Sequence, residues 1–142
     1  MAVRFSAEPG VGVICVGRRE HKLHETKQLC RQPQDVTVLA ADVSTEQGRR
    51  AVVDCVSAMC PQGLQYLVQN AGVVGPLKAT LDLKLDDFRQ TMATNVEAPI
   101  FLSRDLFPLL KKAHGRILHV SSGCAHKPSQ SWLAYWWACT SP

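Results

Sequence analysis

The sequence predicts an α/β fold in which a parallel sheet is doubly wound by helices. Three observations predict it. Four short apolar runs recur along the chain, separated by longer polar segments of helical spacing, and that alternation is the grammar of parallel strands joined by right-handed crossovers. The runs are rich in aliphatic and β-branched residues, as strands buried on both faces must be. Each run also ends in polar or glycine residues, at the strand ends where open α/β sheets bind ligands.

The first run is VGVICV (11–16), and residues 19–31 after it read as a weakly amphipathic helix. The second is DVTVLA (35–40). In the helix that follows, 45–59, Ser44 is the predicted N-cap and Gln47 three positions on completes a capping box. LQYLVQ (64–69) is the third run and GRILHV (115–120) the fourth. Between them a long helix is predicted over about 84–112, with Phe88, Met92, Val96 and Ile100 recurring every four residues as its buried face. Pro99 interrupts this helix. Without an N–H it cannot bond the carbonyl of Asn95, so a kink is expected there, with that carbonyl free. No repeat, linker or low-complexity segment divides the chain, so residues 1–142 are expected to form one partial domain.

Composition narrows the partners. Apolar residues make up 46% and charged residues 20% of the 142, ordinary values for a packed globular chain. The net charge of +4 is mild and spread along the sequence. No block of like charges suggests a nucleic-acid arm, and no nucleic acid is expected as a partner. The six cysteines show no C-x-x-C spacing and no metal-ligand pattern with the five histidines. No metal site is predicted, and a reducing cytoplasm is the simplest home. His21 and His24 share a helix face that reads as solvated, whereas His126 is either a pocket or a surface-loop histidine. Trp132 and Trp136 are either substrate-facing aromatics or an apolar tail. The opening MAVRFSAEPG carries no apolar core of a signal peptide, and no apolar stretch reaches the length of a membrane span.

The four strand-end segments are GRR (17–19), ADVS (41–44), NAG (70–72) and SSG (121–123). With their surroundings they resemble the short-chain dehydrogenases/reductases. LVQNAGVVGPL is similar to that family's strand-four signature, in which Asn70, Ala71 and Gly72 would brace the sheet beside the cofactor. ADVS looks like the strand-three ending, which would set Asp42 against the adenine with Val43 packed near it. TNVEAP looks like the helix turn carrying the active-site asparagine, here Asn95. GRILHVSSG looks like the strand bearing the catalytic serine. The family sets that serine thirteen residues before its tyrosine, and Ser122 to Tyr135 is thirteen.

The resemblance runs from about residue 3 to 138. It implies reduction of a small-molecule carbonyl, or oxidation of an alcohol, with a nicotinamide cofactor. Tyr135 would transfer the proton, Ser122 would hydrogen-bond the carbonyl oxygen, and the Asn95 carbonyl would hold a relay water. Arg18 and Arg19 lie where the cofactor ribose would sit. An arginine there pairs with the 2′-phosphate of NADP, so NADP(H) is expected over NAD; the alternative is two solvated arginines opening a helix.

Two departures from the family pattern matter physically. No T-G-x-x-x-G-x-G turn is present: the glycines of EPGVGV lead into a strand, not from a strand into a helix, which is the context that cradles a pyrophosphate. AVRFSAEPG looks like the last turns of the helix after that loop. The sheet is therefore expected to be an incomplete Rossmann-like one, lacking its first strand and glycine-rich loop. In the order 3-2-1-4-5-6 this leaves a gap between the first and third strands of this chain. The second departure is Cys139, four residues after Tyr135, where the family places a lysine. That ammonium lowers the tyrosine's pKa from about 10. The chain also stops at Pro142, before the family's remaining helix and strands, and is read as truncated at both ends.

An inactive or impaired oxidoreductase is therefore expected. The alternative is a non-catalytic interaction protein that pairs with complete subunits through the 84–112 helix. A different doubly wound protein, such as a methyltransferase fragment, explains neither NAG nor the Ser–Tyr spacing.

Overall fold

A computed structural model of the chain describes residues 1–75, 80–126 and 133–140. Among the described residues six α-helices and four strands follow one another: α1 (Ala2–Phe5), β1 (Val13–Gly17), α2 (Glu20–Gln28), β2 (Val36–Ala40), α3 (Glu46–Met59), β3 (Tyr66–Gln69), α4 (Leu85–Met92), α5 (Ala98–Lys112), β4 (Arg116–His119) and α6 (Leu133–Thr140). The fold is α/β and Rossmann-like, and all four predicted strands form within a residue or two of their predicted bounds.

The strands make two parallel pairs. β1 runs beside β2 with Cys15 opposite Val38, and β3 runs beside β4 with Val68 opposite Leu118. Among the described residues no ladder joins β1 to β3, so the gap lies between the first and third strands, as the strand order requires.

Side-chain alternation along β1 builds two layers. Ile14 and Val16 pack with Leu39 and Leu67 on a cluster of Val52 and Val56 from α3 and Leu102, Leu106 and Leu110 from α5. Cys15 points the other way, joining Cys30 and Val36 with Val13 and Leu23. The α3–α5 layer thus underlies both strand pairs and ties them together. On the opposite side Phe5 of α1 meets Tyr66 of β3, ring centroids 5.5 Å apart.

Several sequence expectations give way here. Thr45, not Ser44, caps α3: its side chain accepts from the Gly48 N–H at 3.0 Å. Ser44 is drawn back onto Asp42, donating to its carboxylate at 2.7 Å, so the helix starts one residue later and the capping box does not form. The long helix is not one regular rod. α4 and α5 are joined by a π-helical turn over Ala93–Glu97, which accommodates Pro99 at the start of α5 and shifts the helical phase by one extra residue. The buried face is consequently Thr91, Thr94, Ala98, Leu102, Leu106 and Leu110. Of the predicted face, Phe88 is 36% and Ile100 55% exposed. β4 also departs from expectation. Every residue of it is exposed, because among the described residues only β3 flanks it.

Candidate functional site

Three segments converge at the carboxyl ends of β3 and β4. Beyond β3, the chain turns through Asn70, Ala71 and Gly72 and is then pinned to the helix beside it. Asn95, presented by the π-helical turn, uses its whole carboxamide for this: Oδ1 accepts from the Val73 N–H at 2.9 Å, and Nδ2 donates to the Val73 carbonyl at 2.8 Å. Gly75 follows at φ +73°, and a Cβ there would press on the Thr91 hydroxyl, so this turn requires glycine twice over. Binding the Asn95 side chain to backbone orients that residue and keeps its head out of the space in front.

That space is a cavity of about 240 Å³. Asn70, Ala71, Gly72, Asn95 and Tyr135 all line it, together with His119, Ser121 and Cys139. Five predicted site residues from three separate stretches of sequence therefore meet. Ser122 stands beside the lining. Its hydroxyl accepts from the Cys124 N–H at 3.3 Å, capping a 3₁₀ turn at Gly123–Ala125, while its neighbour Ser121 lines the cavity and donates to the Cys139 carbonyl at 3.4 Å.

Tyr135 and Cys139 face each other one turn apart on α6, joined by a side-chain hydrogen bond. Burial pushes the Cys139 thiol above its ordinary value, with the Tyr135 hydrogen bond opposing and the nearby Cys124 adding to the rise. Cys139 is accordingly an uncharged thiol at neutral pH. Among the described residues, no lysine or arginine lines the cavity.

A second group of predicted residues gathers at the ends of β1 and β2, apart from the cavity lining. Asp42 forms a tight turn in which both the N–H and the hydroxyl of Ser44 donate to Oδ1, at 3.0 and 2.7 Å. The Ser44 hydrogen bonds hold its carboxyl below the ordinary value, with a smaller contribution from the charge of Arg18. Val43 packs on the α3–α5 cluster and its carbonyl accepts from Arg49 at 3.1 Å. Arg18 and Arg19 are exposed at the end of β1, Arg19 in the N-cap position of α2. Gly48 lets α3 close on this turn, since a Cβ there would overlap the Asp42 carbonyl.

Sequence reasoning assigned no role to Gln69 or His119, and within the SSG strand end it singled out Ser122 rather than Ser121. The signal was available: a polar residue closes each of the apolar runs of β3 and β4, and the register sets those two, Gln69 and His119, side by side. His126 is exposed and outside the lining, and His24 lies 3.8 Å from Glu20 on the solvated face of α2. Trp136 packs edge-on against Trp137, ring centroids 6.3 Å apart; Trp132 lies outside the described residues. Among the described residues no helix is long and apolar enough to cross a membrane.

The family model for short chain dehydrogenases matches residues 1–138. The chain is 30% identical over 125 residues to 11-beta-hydroxysteroid dehydrogenase A of Sesamum indicum, covering 87% of this chain and 36% of that protein. It is 35% identical over 101 residues to retinol dehydrogenase 5 of Mus musculus, covering 71% and 28%. Among solved structures, a short-chain dehydrogenase/reductase of Caenorhabditis elegans, determined with cofactor, superposes with a TM-score of 0.88 at 28% identity, covering 98% of this chain and 54% of the other. The chain thus spans about a third of the length of these curated relatives and about half of that solved structure.

Proposed function

The chain belongs to the short-chain dehydrogenase family, and on that premise we propose that its site is that of an NADP(H)-dependent carbonyl reductase or alcohol dehydrogenase whose chemistry is impaired by the thiol beside Tyr135. The observation that carries this reading is the convergence of Asn70, Asn95 and Tyr135 on one cavity at the strand ends. Its volume of about 240 Å³ suits a nicotinamide-sized ring with a small carbonyl or alcohol. The relatives' names, a hydroxysteroid and a retinol dehydrogenase, support a small-molecule alcohol or carbonyl as the substrate class.

The residues present fit a nicotinamide dinucleotide at its two ends. The cavity would take the nicotinamide, and Asp42, Val43, Arg18 and Arg19 would take the adenosine end, the arginines supplying charge for a 2′-phosphate. Between them, none of the described residues forms a glycine-rich strand-to-helix turn. When bound, the nicotinamide accepts or supplies hydride. Tyr135 would hold the proton at its hydroxyl, and Asn95, fixed to Val73 through its side chain, would offer its main-chain carbonyl to water. Ser122, which stands beside the lining with its hydroxyl on the Cys124 N–H, would have to turn into the cavity to orient the substrate oxygen. Cys139 weakens this arrangement, because a neutral thiol beside the phenol brings no positive charge to stabilise a developing phenolate.

The test is thermal denaturation with NADPH and NADH, followed by NADPH consumption across ketones, aldehydes and quinones. Stabilisation by NADPH with turnover far below that of a full-length relative is expected. No stabilisation by either nucleotide would overturn cofactor binding, and turnover equal to the relative's would overturn the impairment. All six cysteines are free thiols, which supports the cytoplasm as the compartment.

A second reading is favoured by a specific surface. Leu85 (59%), Ile100 (55%) and Phe107 (59%) are exposed along α4 and α5, where the family resemblance implies subunit pairing. We propose that this face pairs with a second copy or a complete relative. Size-exclusion chromatography of the chain alone and mixed with a full-length relative is expected to show association that Phe107→Glu abolishes; a monomer in both cases would end this reading.

A further inference from the structure

We propose that Gln69 holds the His119 imidazole as its Nδ1–H tautomer, so that Nε2 serves the cavity as a hydrogen-bond acceptor for a hydroxyl of the bound small molecule. The inference rests on reading the cavity as the ligand site. It starts from a nearly buried carboxamide, Gln69 being 9% exposed. Its nitrogen lies 2.9 Å from the Pro99 carbonyl oxygen and 2.8 Å from the Ser103 hydroxyl. A carbonyl oxygen can only accept, so the group facing Pro99 must be the NH₂, and the orientation of the amide follows. Its oxygen is thereby left at the other end, 3.2 Å from His119 Nδ1.

The same logic then passes to the imidazole. Gln69 Oε1 also can only accept, so Nδ1 must carry the proton, and in a neutral ring that leaves Nε2 with its lone pair free. Nε2 has no hydrogen-bond partner among the described residues, and His119 lines the cavity. Of the neighbouring polar groups, Asn95 has both ends of its side chain committed to Val73, and Tyr135 is engaged with Cys139. A backbone carbonyl on α5 therefore determines, through one buried amide, which atom of a histidine on β4 meets the ligand. The chemistry selected is a hydroxyl donor, which either a substrate alcohol or a ribose of the cofactor supplies. His119 is a positioning residue in this account and transfers no proton.

Long-range ¹H–¹⁵N correlation spectra of the labelled chain at pH 8, where free imidazoles are neutral, test the tautomer directly. His119 is expected to show a protonated Nδ1 and an unprotonated Nε2 as its dominant form. Gln69→Leu is expected to shift it toward a mixture of tautomers; if that variant does not fold, the wild-type spectrum decides the matter. A dominant Nε2–H form in the wild type overturns the proposal. NADPH and cyclohexanol are then added separately, and whichever supplies the hydroxyl is expected to shift the His119 Nε2 resonance. Shifts at Asn70 and Asn95 without a change at Nε2 overturn the role of His119 and leave the family reading standing. No shift at any cavity residue with either compound overturns both.

Discussion

Tyr135 and Cys139 stand one helical turn apart on α6, joined by a side-chain hydrogen bond. Position i+4 on a helix is the nearest neighbour a side chain can have on its own face, so whatever occupies 139 sets the electrostatics of the phenol. Here it is a thiol whose pKa burial raises further above its ordinary value.

Replacing that thiol by an ammonium places a positive charge beside the phenol. Cys139→Lys is expected to raise NADPH-dependent carbonyl reduction at least about tenfold over the wild-type chain, a conservative share of what positioned acid–base groups contribute. Loss of absorbance of NADPH under single-turnover conditions measures it. Equal rates in the two proteins would show that the charge at 139 is not what limits this site.

At the other end of the site the arginines are exposed, so altering them leaves packing intact. Arg18→Ala with Arg19→Ala is expected to weaken NADPH binding by about tenfold or more, with little effect on NADH, because only NADPH carries the 2′-phosphate that a guanidinium pairs with. Isothermal titration with both nucleotides provides the comparison. An equal loss for the two would mean that the arginines do not read the 2′ position.

Gly48 is a steric prediction. A methyl at this position overlaps the Asp42 carbonyl, so Gly48→Ala must push α3 away from the turn that carries Asp42 and Val43. The expected cost is about 1–3 kcal/mol, as for other overpacked contacts, read from the urea midpoint. An unchanged midpoint would mean that the helix and the turn are not in contact.

The Asp42 turn also predicts a dependence on pH. The carboxyl's folded-state pKa lies below its ordinary value of 3.8, mainly through the Ser44 hydroxyl. Its stabilising contribution is therefore fully present above about pH 4, and is lost as the pH falls below 3.8 through the folded-state value. Ser44→Ala is expected to return the Asp42 pKa toward 3.8 and to flatten the acid limb of the stability curve. Carboxyl ¹³C titration of Asp42 in both proteins reads this out, and identical titrations would remove the serine from the account.

Much of the scaffold was legible in the linear chain. β1 to β3 are runs whose apolar content leaves few alternatives to a buried parallel strand, and NAG, TNVEAP and the serine–tyrosine spacing lie in one order at one spacing. The buried face of the long helix was not legible. A period of four fits Phe88, Met92, Val96 and Ile100 as well as it fits Ala98, Leu102, Leu106 and Leu110. The π-helical turn chose between them by adding a residue to one turn. Ser44 misled for a similar reason: the helix terminus offers N–H donors and the Asp42 turn a carboxylate acceptor to the same hydroxyl, and the turn wins because its oxygen is charged.

The sequence by itself determined the α/β order of elements, the family, and the presence of a cysteine four residues after Tyr135, because each of these depends on residue type and spacing alone. Only the tertiary structure decided that the α3–α5 layer ties the two strand pairs together, that Ser121 rather than Ser122 lines the cavity, and that Gln69 reaches from Pro99 to His119. Those outcomes depend on helical phase, on strand register and on which of several partners comes within hydrogen-bond distance, and these are settled only when segments distant in sequence pack together.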